Sequence, residues 1–294
     1  MLKNILAIQM SSVIGNYEAN CKKVSDLISN FYSNHCKDIK RPDIIFLPEV
    51  WTLGWYTDCF KDLAKKNEDA VGFLSEIARK YDVNIIGGSY IRIEKKSDIL
   101  DDIIYKNSCP VINRKGELCA FYDKIHLYSP DGEAKAVKSG NTPLIVNVEG
   151  LKIGLSICYD IRFPELFRSY MTDKNMPDML VNLSAWPKTR RIQYDAMAKS
   201  RAVENQSYFL ALSQTGLIKD DVYNSGCSLL AAPLGETLAI LDEDEGFIFE
   251  TIDTGIVESI RADYPNLENR KVNDFGFYPE YVCIAENKAG AFVC

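Results

Sequence analysis

The sequence predicts an α/β protein with mixed sheets. Apolar runs of strand length recur along the chain, and amphipathic helical patterns lie between them in the first half and again near residues 160–206. Turn sequences at residues 113–117 and 232–236 predict hairpins, so some neighbouring strands should be antiparallel. No Gly-, Ser- or Pro-rich linker divides the 294 residues, so we expect one domain over residues 1–274, followed by a tail over residues 275–294.

The predicted elements follow in chain order. Strands are expected where β-branched and aromatic residues cluster, at residues 5–10, 43–47, 83–91, 108–113, 118–122, 144–148, 152–157, 179–183, 208–213, 227–232 and 247–252. Helices are expected where apolar residues recur every three or four positions, at residues 17–31, 71–81 and 193–205. The aromatic residues after Asp274 predict a tail that docks on the domain or on a second subunit.

Composition and charge exclude several classes of protein. The net charge of −7 argues against nucleic acid or an anionic membrane as a partner. Residues 1–10 lack the features of a signal peptide and no segment is long and apolar enough to span a bilayer, so a cytoplasmic location is expected. Nine cysteines without a Cys-x-x-Cys pair argue against a disulfide framework, and two histidines argue against a metal site. No cofactor is predicted.

Cys158 lies where a strand pattern gives way to a helix pattern. Ile153, Leu155 and Ile157 alternate with smaller residues, and Pro164 then opens a helical run. A thiol near a helix N-terminus is favoured as the thiolate by the backbone dipoles, which would make it a nucleophile. The alternative is a buried structural cysteine.

Three further polar residues lie at the ends of apolar runs or in the loop after one. Glu49 follows the run at residues 43–47, Lys124 follows the run at residues 118–122, and Glu133 lies in the next loop. Taken singly, each is expected on a solvated surface. Taken with Cys158, they form a chemical set. A carboxylate can accept the thiol proton, an ammonium can stabilise an oxyanion, and a second carboxylate can hold that ammonium.

These residues and their flanking sequences resemble the nitrilase, or carbon–nitrogen hydrolase, superfamily. The similar segments are Leu-Pro-Glu49, Tyr-Asp-Lys124-Ile-His-Leu and Ile-Cys158-Tyr-Asp-Ile-Arg-Phe-Pro-Glu, with Glu133 as the second glutamate. Segments at residues 182–187, 200–206 and 226–236 also look like the family. The segments around Cys158 and Trp186 look most like the omega-amidase branch.

The resemblance implies a four-layer α-β-β-α sandwich that pairs into homodimers or higher homo-oligomers. It also implies cofactor-independent hydrolysis of a small amide by water. Cys158 would be the nucleophile and Glu49 the proton carrier. Lys124 and the backbone N–H of Tyr159 would form the oxyanion hole, and Glu133 would position Lys124 and the substrate.

Substrate-binding residues are predicted around the same segments. Arg162 is a candidate for a substrate carboxylate, and its alternative is an ion pair with Asp160 or Glu165. Trp186 is a candidate pocket wall or a core residue. Residues 51–56, which hold two tryptophans and Tyr56, depart from the usual family pattern and are expected to narrow or reshape the pocket.

The predicted function is hydrolysis of the terminal amide of a small carboxylated amide such as 2-oxoglutaramate, with release of ammonia. The alternatives are a hydrolase of a nitrile, an N-carbamoyl amine or a deaminated peptide, and a catalytically idle binding module. A cysteine–histidine hydrolase that uses His126 is a further alternative, although a structural role for this histidine is preferred. Arg201 and Glu204 are expected to form a structural pair on a helix.

Overall fold

The computed structural model describes residues 1–35, 41–95, 103–172, 175–271 and 279–284. The described part of the chain contains sixteen strands and seven α-helices. The strands are β1 (Leu2–Gln9), β2 (Ile44–Phe46), β3 (Asn84–Ile86), β4 (Tyr90–Lys95), β5 (Ile103–Ile112), β6 (Leu118–Asp123), β7 (Leu144–Val148), β8 (Leu151–Ile157), β9 (Met179–Ser184), β10 (Tyr208–Ser213), β11 (Leu217–Lys219), β12 (Val222–Tyr223), β13 (Leu229–Ala231), β14 (Thr237–Ile240), β15 (Gly246–Asp253) and β16 (Glu280–Ile284). The helices are α1 (Tyr17–His35), α2 (Phe60–Ala64), α3 (Ala70–Tyr81), α4 (Glu133–Ala136), α5 (Pro164–Ser169), α6 (Arg191–Asn205) and α7 (Thr254–Asp263).

Two seven-stranded mixed sheets form the centre of the molecule. The first has the order β15-β1-β2-β3-β5-β4, with β6 also paired to β5, and the second has the order β14-β13-β10-β9-β8-β7-β16. In the first sheet β1, β2 and β3 are parallel, and β15 pairs antiparallel with β1. In the second sheet β8, β9 and β10 are parallel, and β13 pairs antiparallel with β10. The predicted mixed sheets are confirmed.

The period-2 pattern of β1 explains how the layers stack. Ile5 and Ala7 lie in the core between the two sheets, while Leu6 and Ile8 face α1 and α3 on the outer side. On the far side, Phe167 of α5 and the buried face of α6 pack on the second sheet. The predicted α-β-β-α sandwich is therefore confirmed.

The largest departure from the predicted elements is at residues 83–91, which form two strands and not one. Gly88, with φ of +65°, turns the chain between β3 and β4. A Cβ there would lie 2.2 Å from the carbonyl oxygen of Pro48, so only glycine fits. Helices α2, α4 and α7 and strands β11, β12, β14 and β16 were not predicted, because most are too short to show a period.

Both predicted hairpins are present. The N–H of Asn113 donates to Glu117 at 3.0 Å between β5 and β6, and Ala232 donates to Glu236 at 2.8 Å between β13 and β14. In the tail, β16 pairs in parallel with β7, and residues 272–278 and 285–294 lie outside the described residues. Within the described ranges, no helix has the length and apolar character needed to cross a membrane.

Candidate active site

Four predicted catalytic residues meet between the sheets. Glu49 follows β2, Lys124 follows β6, Glu133 begins α4 and Cys158 follows β8. The Lys124 Nζ lies 2.8 Å from Glu49 Oε1 and 2.8 Å from Glu133 Oε2, and all three side chains are fully buried. The expectation of solvated side chains, which each residue suggests when taken alone, is therefore wrong.

Each carboxylate is also held by backbone groups. Glu49 Oε2 accepts a hydrogen bond from the N–H of Ala185 at 2.8 Å, and Glu133 Oε2 accepts one from the N–H of Tyr128 at 2.6 Å. Since every buried carboxylate oxygen needs donors, these contacts let both acids remain in the interior. The Lys124 Nζ also lies over the ring of Trp55, 4.9 Å from its centroid.

Burial and charge shift the pKa values of Glu49 and Lys124 in the cluster. Burial raises the pKa of the Glu49 carboxyl, Lys124 opposes this, and the neighbouring Glu133 adds to it. Burial disfavours the charge of Lys124, but Glu133 and Glu49 outweigh it and raise the pKa of the ammonium. Lys124 therefore stays positively charged, while Glu49 is poised to carry a proton.

Cys158 lies at a sharp turn. Its φ of +45° is uncommon for a residue with a Cβ, and it opens a 3-10 turn over Cys158–Arg162 that precedes α5. Asp160 secures this turn by accepting hydrogen bonds from the N–H of Ile157 at 2.9 Å and from the hydroxyl of Tyr122 at 2.7 Å. The turn aims the side chain at the carboxylate cluster.

Burial of Cys158 opposes the expected stabilisation of its thiolate by a helix N-terminus. Burial raises the pKa of the Cys158 thiol well above its usual value; the charge of Glu49 and a side-chain hydrogen bond to it add to this, and Lys124 only partly opposes it. A 3-10 turn over Cys158–Arg162 lies between the thiol and α5, so Cys158 is not a residue of the first turn of that helix. The resting thiol keeps its proton and has a carboxylate beside it to take that proton.

The thiol opens into a cavity of about 540 Å³. The predicted residues that line this cavity are Tyr56, Cys158, Tyr159, Arg162 and Trp186. The cavity is also lined by residues that sequence reasoning did not single out, among them Tyr128, Asp131, Arg190 and Lys219.

The prediction that both tryptophans of residues 51–56 shape the pocket is wrong for Trp51. That indole is buried in the core and donates to the carbonyl oxygen of Gly87 at 2.8 Å.

Arg162 faces this cavity. Its Nη2 donates to Gln193 Oε1 at 2.8 Å, and its guanidinium lies 5.0 Å from the Trp186 ring centroid. Among the described residues no carboxylate lies within 4.0 Å of Arg162, so the alternative of an ion pair with Asp160 or Glu165 is wrong. Trp186 both lines the cavity and packs in the core, since it stacks on Tyr194 at 4.7 Å.

His126 and Arg201 have structural contacts. His126 Nδ1 lies 2.8 Å from Asp160 Oδ1, and the imidazole stacks on Phe163 with the ring centroids 3.7 Å apart. Arg201 pairs with Glu204 at 2.9 Å, as predicted. Within the described ranges, no group of three or more His, Cys, Asp or Glu residues is arranged to hold a metal ion.

Sequence reasoning missed Asn107 on β5. Its Nδ2 donates to Glu49 Oε1 and to Glu133 Oε1, both at 3.0 Å. The predicted strand began one residue later, at Ser108, and a single amide within an apolar run was the only signal.

The α-β-β-α sandwich and its buried cysteine–carboxylate–lysine cluster define a nitrilase-like hydrolase. Residues 5–262 match the sequence model of the carbon–nitrogen hydrolase family, and the chain belongs to that family. The prediction of a carbon–nitrogen hydrolase is confirmed.

Three relatives show the extent of the similarity. The 2-oxoglutaramate amidase of Paenarthrobacter nicotinovorans is 29% identical over 263 residues, which cover 87% of this chain and 85% of that protein. The 2-oxoglutaramate amidase of Bacillus subtilis is 29% identical over 262 residues, which cover 89% and 95%. The crystal structure of Saccharomyces cerevisiae Nit3, a member of branch 10 of the nitrilase superfamily, is 25% identical with a TM-score of 0.81 and covers 92% of this chain and 97% of that one.

Proposed function

We propose that this protein hydrolyses the terminal amide of a small carboxylated amide through a cysteine thioester, with release of ammonia. The observation that carries the proposal is the cavity itself. It holds the Cys158 thiol together with Arg162, whose guanidinium has no carboxylate partner among the described residues. Such a guanidinium can bind a substrate carboxylate bidentately while the amide lies at the sulfur.

In the first step the thiol proton passes to Glu49, and the sulfur forms a bond to the amide carbon. The carbonyl π electrons move to oxygen, and the ammonium of Lys124 with the N–H of Tyr159 stabilises the oxyanion. When the oxyanion collapses, the C–N bond breaks and the proton held by Glu49 goes to the departing nitrogen. Ammonia leaves, and the acyl group remains on Cys158 as a thioester.

In the second step a water molecule donates a proton to Glu49 and its oxygen attacks the thioester carbon. The C–S bond breaks, the carboxylic acid product forms, and Cys158 regains its proton from Glu49. Glu133 holds Lys124 through two contacts, at 2.8 and 3.0 Å, so that the ammonium keeps its place through both steps.

Asp58, Asp131 and Asp220 line the cavity together with Arg162, Arg190 and Lys219, so the support for an anionic substrate comes from the arginines that have no carboxylate partner among the described residues. Arg190 also lines it, donates to the hydroxyl of Tyr128 and has no carboxylate partner among the described residues, whereas Lys219 at the entrance lies 3.5 Å from Asp58. The two relatives named as 2-oxoglutaramate amidases support the same class of substrate. We therefore propose 2-oxoglutaramate, glutaramate and succinamate as the first compounds to test.

An ammonia-release screen tests the proposal. We expect turnover of the carboxylated amides, and kcat/KM lower by about 10-fold or more for uncharged amides of the same length, because these cannot use a charged hydrogen bond to Arg162. Nitriles, N-carbamoyl amines and deaminated peptides form the comparison set. Faster turnover of any of these, or of the uncharged amides, would contradict the proposed substrate class.

We also propose that the hydrolase domain spans residues 1–274 and works as a homodimer, with the tail docked on the domain or on the second subunit. The parallel pairing of β16 with β7 supports a docked tail. Light scattering on the purified chain, with and without residues 275–294, tests this, and a monomer in both cases would contradict it.

A further inference from the structure

Asn107 is hydrogen-bonded to all three charged residues of the cluster, to two of them through its side chain and to Lys124 through its backbone. Its side-chain amide donates to Glu49 Oε1 and Glu133 Oε1 at 3.0 Å each, and its backbone oxygen accepts from the N–H of Lys124 at 2.9 Å. The side chain is buried on β5, between the strand ends that carry these residues. Among the described residues, no other one is hydrogen-bonded to all three of these residues.

The two amide hydrogens serve a site with an excess of negative charge. Two carboxylates share one ammonium there, and Lys124 donates to the same two oxygens that Asn107 contacts. A neutral amide stabilises both anions without adding a formal charge. It thereby opposes burial and the repulsion from Glu133, the two effects that raise the pKa of Glu49.

The two hydrogen bonds to Glu49 and Glu133 fix the orientation of the Asn107 amide. Rotating it by 180° would place its oxygen against two carboxylate oxygens. In the orientation present, Asn107 Oδ1 is buried and accepts no hydrogen bond from the described residues. Since an unsatisfied buried acceptor is costly, packing alone would favour an apolar residue of similar size at this position.

We propose that Asn107 is a positioning residue that holds Glu49 and Glu133 in place on Lys124 and keeps Glu49 ionised, ready to accept the Cys158 proton. This inference rests on the proposed mechanism in which Glu49 is the proton carrier. It assigns to Asn107 no contact with substrate.

The test compares Asn107→Ala and Asn107→Asp by two pH profiles. The first is kcat/KM for the best amide, and the second is the rate of alkylation of Cys158 by iodoacetamide, which needs no substrate. Losing the two donors should move the acidic limb of both profiles to higher pH, by on the order of one unit for Asn107→Ala. Asn107→Asp keeps the side-chain shape but adds a third carboxylate to the cluster. Because this carboxylate repels Glu49, the acidic limb of both profiles should move to still higher pH. We expect kcat to fall with little change in KM.

A matched control is Asn20, another buried asparagine, which bonds to Val13 and Thr52 away from the cavity. Asn20→Ala should lower the melting temperature and leave both profiles in place. If the Asn107 variants lose activity or stability while neither acidic limb moves, the proposal is wrong. The alkylation profile decides the question even if the substrate proposal fails, and Asn107→Asp decides it if Asn107→Ala does not fold.

Discussion

The catalytic floor and the outer wall of the cavity are built in different ways. The catalytic floor, which we define as Glu49, Asn107, Lys124, Glu133 and Cys158, is buried, and its four polar side chains share hydrogen bonds of 2.8–3.0 Å. The outer wall, which consists of Tyr56, Arg162, Arg190 and Lys219, is partly exposed. Among the described residues, Arg162 and Arg190 make one hydrogen bond each through their guanidinium groups, and both lie over aromatic rings.

This difference indicates that the catalytic floor determines the chemistry and that the outer wall determines which substrate binds. A dry, hydrogen-bonded cluster fixes reacting groups and strengthens their electrostatic interactions, so a change there should affect every substrate. A wall of loop and turn residues with few contacts can change without disturbing the sheets. Substitutions should therefore fall into two classes, and three experiments test this division.

The largest effect is expected at the nucleophile. Cys158→Ala should lower the rate of ammonia release by at least about 10⁴-fold for every substrate, because no thioester can form. The melting temperature should stay near that of the wild type, since the substitution removes a single heavy atom from a side chain that borders the cavity. Cys119→Ala, which removes a half-buried thiol from β6, is the matched control and should keep full activity. Residual turnover by Cys158→Ala near the wild-type rate would disprove the thioester mechanism.

The next effect is expected on stability. Lys124→Met leaves two buried carboxylates without their cation and should cost about 3–5 kcal/mol of unfolding free energy at neutral pH. The loss should shrink as the pH falls, because protonation of Glu49, whose pKa is already raised by burial, removes one of the two charges. Urea denaturation at pH 8 and pH 5 measures this. An equal loss at both pH values would show that the cluster is not electrostatically coupled.

The smallest effect is expected on the outer wall. Arg162→Gln should raise KM for a carboxylated amide by about 10- to 100-fold, the worth of one charged hydrogen-bonding pair, and leave an uncharged amide unaffected. Lys219→Gln is the control, because Lys219 is exposed and already pairs with Asp58 at 3.5 Å. It should change KM by less than about twofold. If both substitutions affect charged and uncharged amides equally, the wall does not select for charge.

The sequence by itself determined the α/β class, most strands of the two sheets and which residues are the catalytic candidates. Alternation in runs such as residues 152–157 reports which face of a strand is buried, and this signal is local. The roles of Glu49, Lys124 and Cys158 came from matching segments, because their chemistry needs particular residue types in a particular chain order. The same segments led to the prediction of the carbon–nitrogen hydrolase family, which the match over residues 5–262 confirms.

Only the tertiary structure decided the environment of those residues. Glu133 resembles an exposed turn residue in the sequence, yet it is fully buried because the loop before α4 folds it onto Lys124. The raised pKa of Cys158, the core position of Trp51 and the bridging amide of Asn107 also depend on contacts between segments far apart in the chain. The burial and the hydrogen-bond partners of these residues depend on which strand ends lie together between the sheets. A local sequence pattern carries no information about such long-range contacts.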